Sequence, residues 1–592
     1  MNIKYQNLKI KNLGILFSLF CLFLVKPLLS QESPIFKAMQ DEMKRTTGKL
    51  KLQKEKPPYY VSYKIVDEKN ISIQGELGAI VSDHSDHNRY LVVDLRVGKY
   101  DFDNTNFLES PEYSYSFGQS GGSENLPLDD DYDAIRQKIW LATDEQYKAA
   151  IDLLAKKKSA IEHKQIKDTI ADFSRVSPDY YIESAKNISL DRNEWLTNIK
   201  TISNIFRGYP KIQTSGANFS FQLATIYFLD SDGNKYVKND INTILEVSAN
   251  TQTTDGISLT DNVTFSGHIP LDLPVLSSMI QKVNAMADTL SLLTTAAEEK
   301  DYTGPVMFTS MAAPELFFEI IGKGLSDTRK PIYEDEGMAQ MVSEQTGFLA
   351  DKIGKEVLPK SFSVFDDPKL NSNNGMTLYG KYAIDDQGIK PEKIDLVKNG
   401  KLLTLPMSRT PNKEIKKSNG HGRYIGGQIR NTISNLIIKS DQTTENLDTT
   451  FISYLKQKDL EYGIVVTQLA FQMPKSRDEM MDEFAMYFGG SNRETPLISE
   501  PLIAYRLYQD GKKELIRGLK FDAVTPMILK DIIAAGKDEI VYNFVYKERF
   551  SSSYLPLSVT APSVILEKMI MTSNEAKAKK PPYLKHPYFG KK

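Results

Sequence analysis

The sequence predicts an α+β fold: an N-terminal half that layers helices on an antiparallel sheet, and a C-terminal half made mainly of curled β-sheets. Three observations predict it. Two long stretches, 56–98 and 216–267, alternate in strand style. Segments with apolar residues three and four apart lie around and between them. From Ser361 onward, turn signals recur between short apolar runs.

Taken in order, Ile35, Phe36, Met39 and Met43 share one face of a helix over 35–50. In 56–98 the polar run "DHSDHN" (83–88) reads as the turn between two antiparallel strands, with His84 and His87 in a polar loop. Spacing of three on a turn fixes no ligand geometry, and no third ligand is nearby. Residues 129–164 are helical, and Thr143 or Asp144 can cap the segment that follows, because a short side-chain oxygen satisfies free backbone N–H groups. His163 belongs to the lysine-rich end of that helix, on a solvated face. Residues 192–208 form a further amphipathic helix, "DSDGN" (230–234) is a hairpin turn, and 276–299 is a long helix.

A boundary falls at 298–305, where a polar helix end meets Gly304-Pro305. Beyond it, 305–310 is a short strand and 312–327 a helix that tolerates Pro314 in its first turn. "SFSVF", "KIDLV", "SNLIIK", "YGIVVTQLAF" and "PLIAYRLY" then read as strands, with one helix at 445–459. The predicted organisation is a signal segment 1–31, an N-terminal domain 32–300, a C-terminal domain 301–570 and a basic tail 571–592.

Composition excludes several classes. Lys+Arg at 74 against Asp+Glu at 76 gives no basic excess for nucleic acid. Lys4, Lys9 and Lys11, then the apolar run Leu13–Val25 and a small residue at Ser30, form an export signal too short to span a bilayer comfortably. The sequence therefore predicts an exported, periplasmic or extracellular protein, with an uncleaved membrane anchor as the alternative. The single cysteine, Cys21, lies inside that signal. Once it is cleaved, disulfides, iron–sulfur clusters, thiolate zinc ligands and a cysteine nucleophile are all excluded. No P-loop, no G-x-S-x-G and no dinucleotide fingerprint is present.

An ordered set of motifs resembles the TldD/PmbA family, also described as modulators of DNA gyrase. The motifs are Asp366-Asp367-Pro368, Asp385-Asp386-Gln387-Gly388, the Asn399-Gly400 hairpin, the Gly-rich basic loop Ser418–Arg423, and the strand "SNLIIK" after it. "RVG" and "WLATDEQYK" extend the likeness into the N-terminal half, so that it covers roughly 35–570. The resemblance implies the family's fold and a relation to zinc metallopeptidases. Active relatives carry H-E-x-x-x-H on the helix after the first strand of the C-terminal domain, plus a cysteine far downstream. Two imidazoles about one helical turn apart can reach one zinc, and the glutamate serves as general base for the metal-bound water. Here the corresponding stretch, "VMFTSMAAPELFFEIIGKGL", holds no histidine. All three ligands are missing together, which predicts no metal site and no cofactor, with zinc confined to active relatives.

The candidate site residues follow. Glu315 and Glu319, four apart on one helix face, and His421 are the catalytic candidates. Ser418, Asn419, Gly420, His421, Gly422 and Arg423, with Arg409, are the substrate-binding candidates, because the loop resembles a family stretch that contacts peptide backbone. The adjacent pairs Asp366-Asp367 and Asp385-Asp386 are turn chemistry rather than a shared-proton dyad. His268 precedes a proline-bearing turn and is structural. The expected function is that of a partner-dependent, non-catalytic subunit. It binds extended peptide or unfolded protein by strand addition, in a homo- or hetero-oligomer with a TldD-like chain, with no nucleic acid bound. An active hydrolase with a non-standard metal site at His421, and an envelope scaffold or folding-assistance protein, are the alternatives.

Overall fold

The computed structural model of the chain describes residues 33–52, 54–109, 123–167, 169–327, 329–335, 346–425, 427–473, 497–547 and 554–574, with scattered positions from 578 to 589. The predicted signal segment 1–31 and much of the basic tail lie outside the described residues.

The N-terminal half is built on two long antiparallel hairpins. Strand Tyr60–Glu76 pairs with Ala79–Arg96 and, on its other side, with Thr214–Asp230, which pairs in turn with Lys235–Gln252; Ser258–Gly267 completes that side of the sheet. Period-two alternation gives the sheet two unlike faces. One face carries Tyr63, Ile65, Ile73, Phe219, Leu245 and Val247 and is covered by helices. Pro34–Lys49 and Tyr132–Lys164 cover one end; Arg192–Asn204 and Leu276–Leu293 cover the other. The opposite face begins apolar at Val66, Ala224, Ile226 and Phe228, where Ile384 of the C-terminal half packs on it. Further along it turns polar, with Glu68, Asn70 and Ser72 beside Gln222 and Ser220, then Asp240 and Asn242.

Two expectations in this half are corrected. "DHSDHN" is no turn: it lies within the strand Ala79–Arg96, and the chain reverses at Leu77-Gly78, whose φ values of +45° and +79° suit a tight two-residue hairpin. The strand tolerates this polar run because most of it is exposed, and His87 pairs with Asp67 at 2.6 Å. The helix 132–164 starts at Asp131, whose side chain accepts from Ala134 N–H. Thr143 lies inside it and donates to the Ile139 carbonyl, and so caps nothing.

The C-terminal half is built on two large sheets. One contains Lys513–Arg517, Pro501–Tyr508, Tyr462–Leu469, Tyr302–Phe308, Val564–Ser573 and Leu519–Asp522, in that order. The other contains Ile394–Lys398, Phe362–Asp366, Asn435–Ser440, Tyr554–Ala561 and Ile540–Lys547. A helix from Ala312 to Leu325 runs between them, touching 302–308 and 462–469 on one side and 540–547 and 554–561 on the other. A helix this rich in apolar residues is buried on both sides. Its middle, Phe318–Gly322, relaxes into a π turn, and Phe318 sits edge-on to Phe471, Phe544 and Tyr546.

Candidate functional site

The buried helix 312–325 carries the two candidate carboxylates. Both are buried, and both are already engaged. Glu315 Oε2 accepts the Leu469 N–H at 2.8 Å. Glu319 accepts the Ser499 N–H at 2.7 Å, the Ser499 hydroxyl at 2.8 Å, and Lys323 Nζ at 3.2 Å. Burial pushes the Glu315 carboxyl well above the carboxylate range; the Leu469 N–H opposes this and the Glu319 and Asp261 charges add to it. Asp261, on the edge strand of the N-terminal sheet, accepts from Gln468 at 3.2 Å and is itself pushed up to about 7 by burial.

This donor set does not fit a zinc ion. The helix offers no imidazole or thiolate, and Glu319 is committed to three donors of the protein itself. Among the described residues, no three His, Cys, Asp or Glu side chains group as ligands of an ion. No catalytic step can be routed through a metal held by these residues.

The loop 418–423 folds around His421, which is fully buried. Asn419 is fixed in orientation: its Nδ2 donates to the Leu405 carbonyl at 2.9 Å and its Oδ1 accepts the Met407 N–H at 2.7 Å. His421 Nδ1 faces two acceptors, Asn419 Oδ1 at 2.9 Å and Asn419 O at 3.1 Å, and therefore carries a proton. Nε2 lies 3.0 Å from Asp366 Oδ2, and Asp366 also accepts from the N–H and hydroxyl of Ser434. Both ring nitrogens thus face groups of the protein itself. Ser418 donates its hydroxyl to the Met407 carbonyl, and Gly420, at φ +75°, packs so tightly on Lys390 and Pro391 that a Cβ would clash.

Arg409 is fully buried and ties the two halves together. Its guanidinium donates to the Ser174 carbonyl through Nε and Nη2, to Asp230 at 3.2 Å, and to Asp232. It also stacks over Tyr60 and Phe173, at 4.9 and 4.0 Å from the ring centres. The aspartate pairs behave as turn and anchor groups. Asp385 accepts from the N–H groups of Gln387, Ile389 and Gly422. Asp386 is held well below the carboxylate range: burial alone would raise it, but Lys238, Arg423 and Lys64 outweigh that. His268 is structural, its ring 5.0 Å from Tyr379 and its Nδ1 on the Ile241 carbonyl.

Sequence reasoning missed Lys64 and Lys238, which with Arg423 act on Asp386 at the junction of the two halves. The available signal was their alternation: both lie on the sheet face that carries Val66, Ile226 and Phe228, where a solvated lysine is out of place.

Residues 301–573 match the PmbA/TldA metallopeptidase C-terminal domain. No curated protein matches the chain in sequence. Three solved structures share its fold at 13% identity. A candidate modulator of a DNA gyrase from Thermotoga maritima superposes with a TM-score of 0.54, over 90% of this chain and 100% of that one. TldE from Thermococcus kodakarensis gives 0.53, over 90% and 100%. A candidate modulator of DNA gyrase from Bacteroides thetaiotaomicron gives 0.54, over 91% and 98%.

Proposed function

The chain belongs to the TldD/PmbA family, whose C-terminal domain its residues 301–573 form, and from that premise we propose that it is an exported, non-catalytic member that binds extended peptides alongside a catalytic partner subunit. One observation carries this reading. In relatives that resemble zinc peptidases, the helix after the first strand of this domain supplies imidazoles and a general base. Here it supplies Glu315 and Glu319, which are buried and bonded to Leu469, Ser499 and Lys323. A water cannot be activated there in the relatives' way. The polar sheet face around Asn70, Ser72, Ser220 and Gln222 supports the peptide-binding part: amides and hydroxyls there can satisfy peptide N–H and C=O groups. The lysine-led apolar segment Lys4–Val25 supports export.

The test uses the purified mature chain, alone and with a TldD-like subunit that carries H-E-x-x-x-H. Alone, it is expected to hold no stoichiometric zinc and to show no chelator-sensitive peptide cleavage, while binding an unfolded peptide. Tightly held zinc together with chelator-sensitive cleavage by the lone chain overturns the reading. A cytoplasmic, unprocessed chain overturns its export.

A further inference from the structure

The strand Ala79–Arg96 lies at one side of the N-terminal sheet. Along its outer edge, Ser123–Asn125 pairs with Tyr90–Val92, and the Leu126 N–H reaches the Arg89 carbonyl at 2.8 Å. From Ser82 to Asn88 that edge carries no strand among the described residues, and most of the run is exposed. Its backbone directions follow from Arg89. Because that carbonyl points outward, Asp83, Ser85 and His87 also turn their N–H and C=O groups outward, while Ser82, His84, Asp86 and Asn88 bond to strand Tyr60–Glu76. An open edge of this kind is a template for another strand. The side chains alternate too. His84 and Asp86 lie on the polar face, opposite Ser72 and Asn70; Asp83, Ser85 and His87 lie on the other.

The run "SDHSDHN" complements itself. When two copies of one edge pair antiparallel, outward-turned backbone must meet outward-turned backbone, so the two-fold axis passes through a residue. With the axis at Ser85, His84 of each copy faces Asp86 of the other on the polar face, and Asp83 of each faces His87 of the other on the opposite face. An axis at His84 sets imidazole against imidazole, and one at Asp86 sets carboxylate against carboxylate. The atoms for these contacts remain available among the described residues: Arg192 engages only Oδ1 of Asp83, and Asp67 engages only Nε2 of His87. The His84 side chain is 70% exposed, 3.6 Å from Asp86 of its own strand. A bulge at Val81 bends the hairpin tip toward helix Arg192–Asn204, where the Gly78 N–H meets Ser203 Oγ at 3.1 Å. Residues before Ser82 thereby leave the line of the edge.

We infer that Ser82–Asn88 is a self-complementary edge on which a second copy of this chain docks, antiparallel about a two-fold axis at Ser85. Asp83, Ser85 and His87 of one copy exchange backbone hydrogen bonds with His87, Ser85 and Asp83 of the other, and the Asp–His pairs on both faces fix the register. The polar sheet faces of the two copies then run on into one another, with Asn70 and Ser72 of each one strand in from the axis. This docking is independent of what the polar face binds.

The chain from Glu32 onward contains no cysteine, so a single introduced thiol reports on the edge. Facing Cα atoms of a hydrogen-bonded antiparallel pair lie about 5.5 Å apart, within the span of a disulfide. Ser85→Cys is therefore expected to oxidise to a covalent dimer on a non-reducing gel. Ser82→Cys, whose two copies would stand about 20 Å apart along the strands, is expected not to. Sedimentation of the unsubstituted chain is expected to show a dimer at about 50 μM, and His84→Asp, which sets carboxylate against carboxylate twice, to weaken it about tenfold. His84→Asp combined with Asp86→His restores the complementary order and is expected to recover the parent affinity within about threefold. A monomer throughout, a dimer that Ser85→Cys does not lock, or one that Ser82→Cys locks as readily overturns the docking edge. A dimer indifferent to His84→Asp, or a swap that does not recover, overturns its register.

Discussion

His421 Nε2 lies 3.0 Å from Asp366 Oδ2, with both side chains fully buried. The contact joins the end of strand 362–366 to the Gly-rich loop, and the other ring nitrogen holds Asn419. The imidazole is a cross-brace. His421→Ala leaves Asp366 buried with only its Ser434 donors, and is expected to cost about 3 kcal/mol in a urea unfolding series. A loss below about 0.5 kcal/mol refutes the bracing role.

Glu315 offers a second test. Because burial favours its neutral form, Glu315→Gln keeps an acceptor for the Leu469 N–H at nearly the same volume. Its stability at neutral pH is expected to stay within about 1 kcal/mol of the parent, whereas Glu315→Ala opens a cavity and strands the N–H, costing about 2–4 kcal/mol. Denaturant midpoints of the two variants check this directly.

Asp261 predicts a pH dependence with a definite sign. Its folded value is raised to about 7 from an ordinary value of 3.8. Between those values the folded chain holds more protons than the unfolded chain, so stability falls as pH rises from about 4 to about 7. Asp261→Asn removes this term. It is expected to be close to the parent at pH 4 and more stable by on the order of 3 kcal/mol at pH 8. Urea midpoints at the two pH values measure it, and equal differences at both values contradict it.

Lys64 runs the opposite way. Its amine is depressed to about 7, so the unfolded chain holds the extra proton between about 7 and the ordinary value of 10.5. Stability therefore rises over that window. Lys64→Met is expected to stabilise the chain below pH 7 and to lose that advantage by pH 10, in the same urea assay.

Much of the fold was legible because its local signals agree with its packing. Helices 34–49, 192–204, 276–293 and 447–457 show their buried stripes in the spacing of apolar residues, and the strands of the C-terminal half are marked by their turns. "DHSDHN" misled because its polar residues satisfy the exposed end of a long strand as well as they would a loop. The site was less legible, since its defining contacts are remote in sequence. Ser499 reaches Glu319 across 180 residues, and Asp386 reaches Lys238 across 148. A lone lysine in an alternating strand looks solvated until the second half of the chain closes over it.

Arg409 has a bearing on access. Sandwiched between Tyr60 and Phe173 and anchored on Ser174, Asp230 and Asp232, it clamps both halves at their seam. Prising them apart would strip a buried guanidinium of every acceptor at once. Opening a route between the halves by hinging within one polypeptide would therefore carry that cost in full.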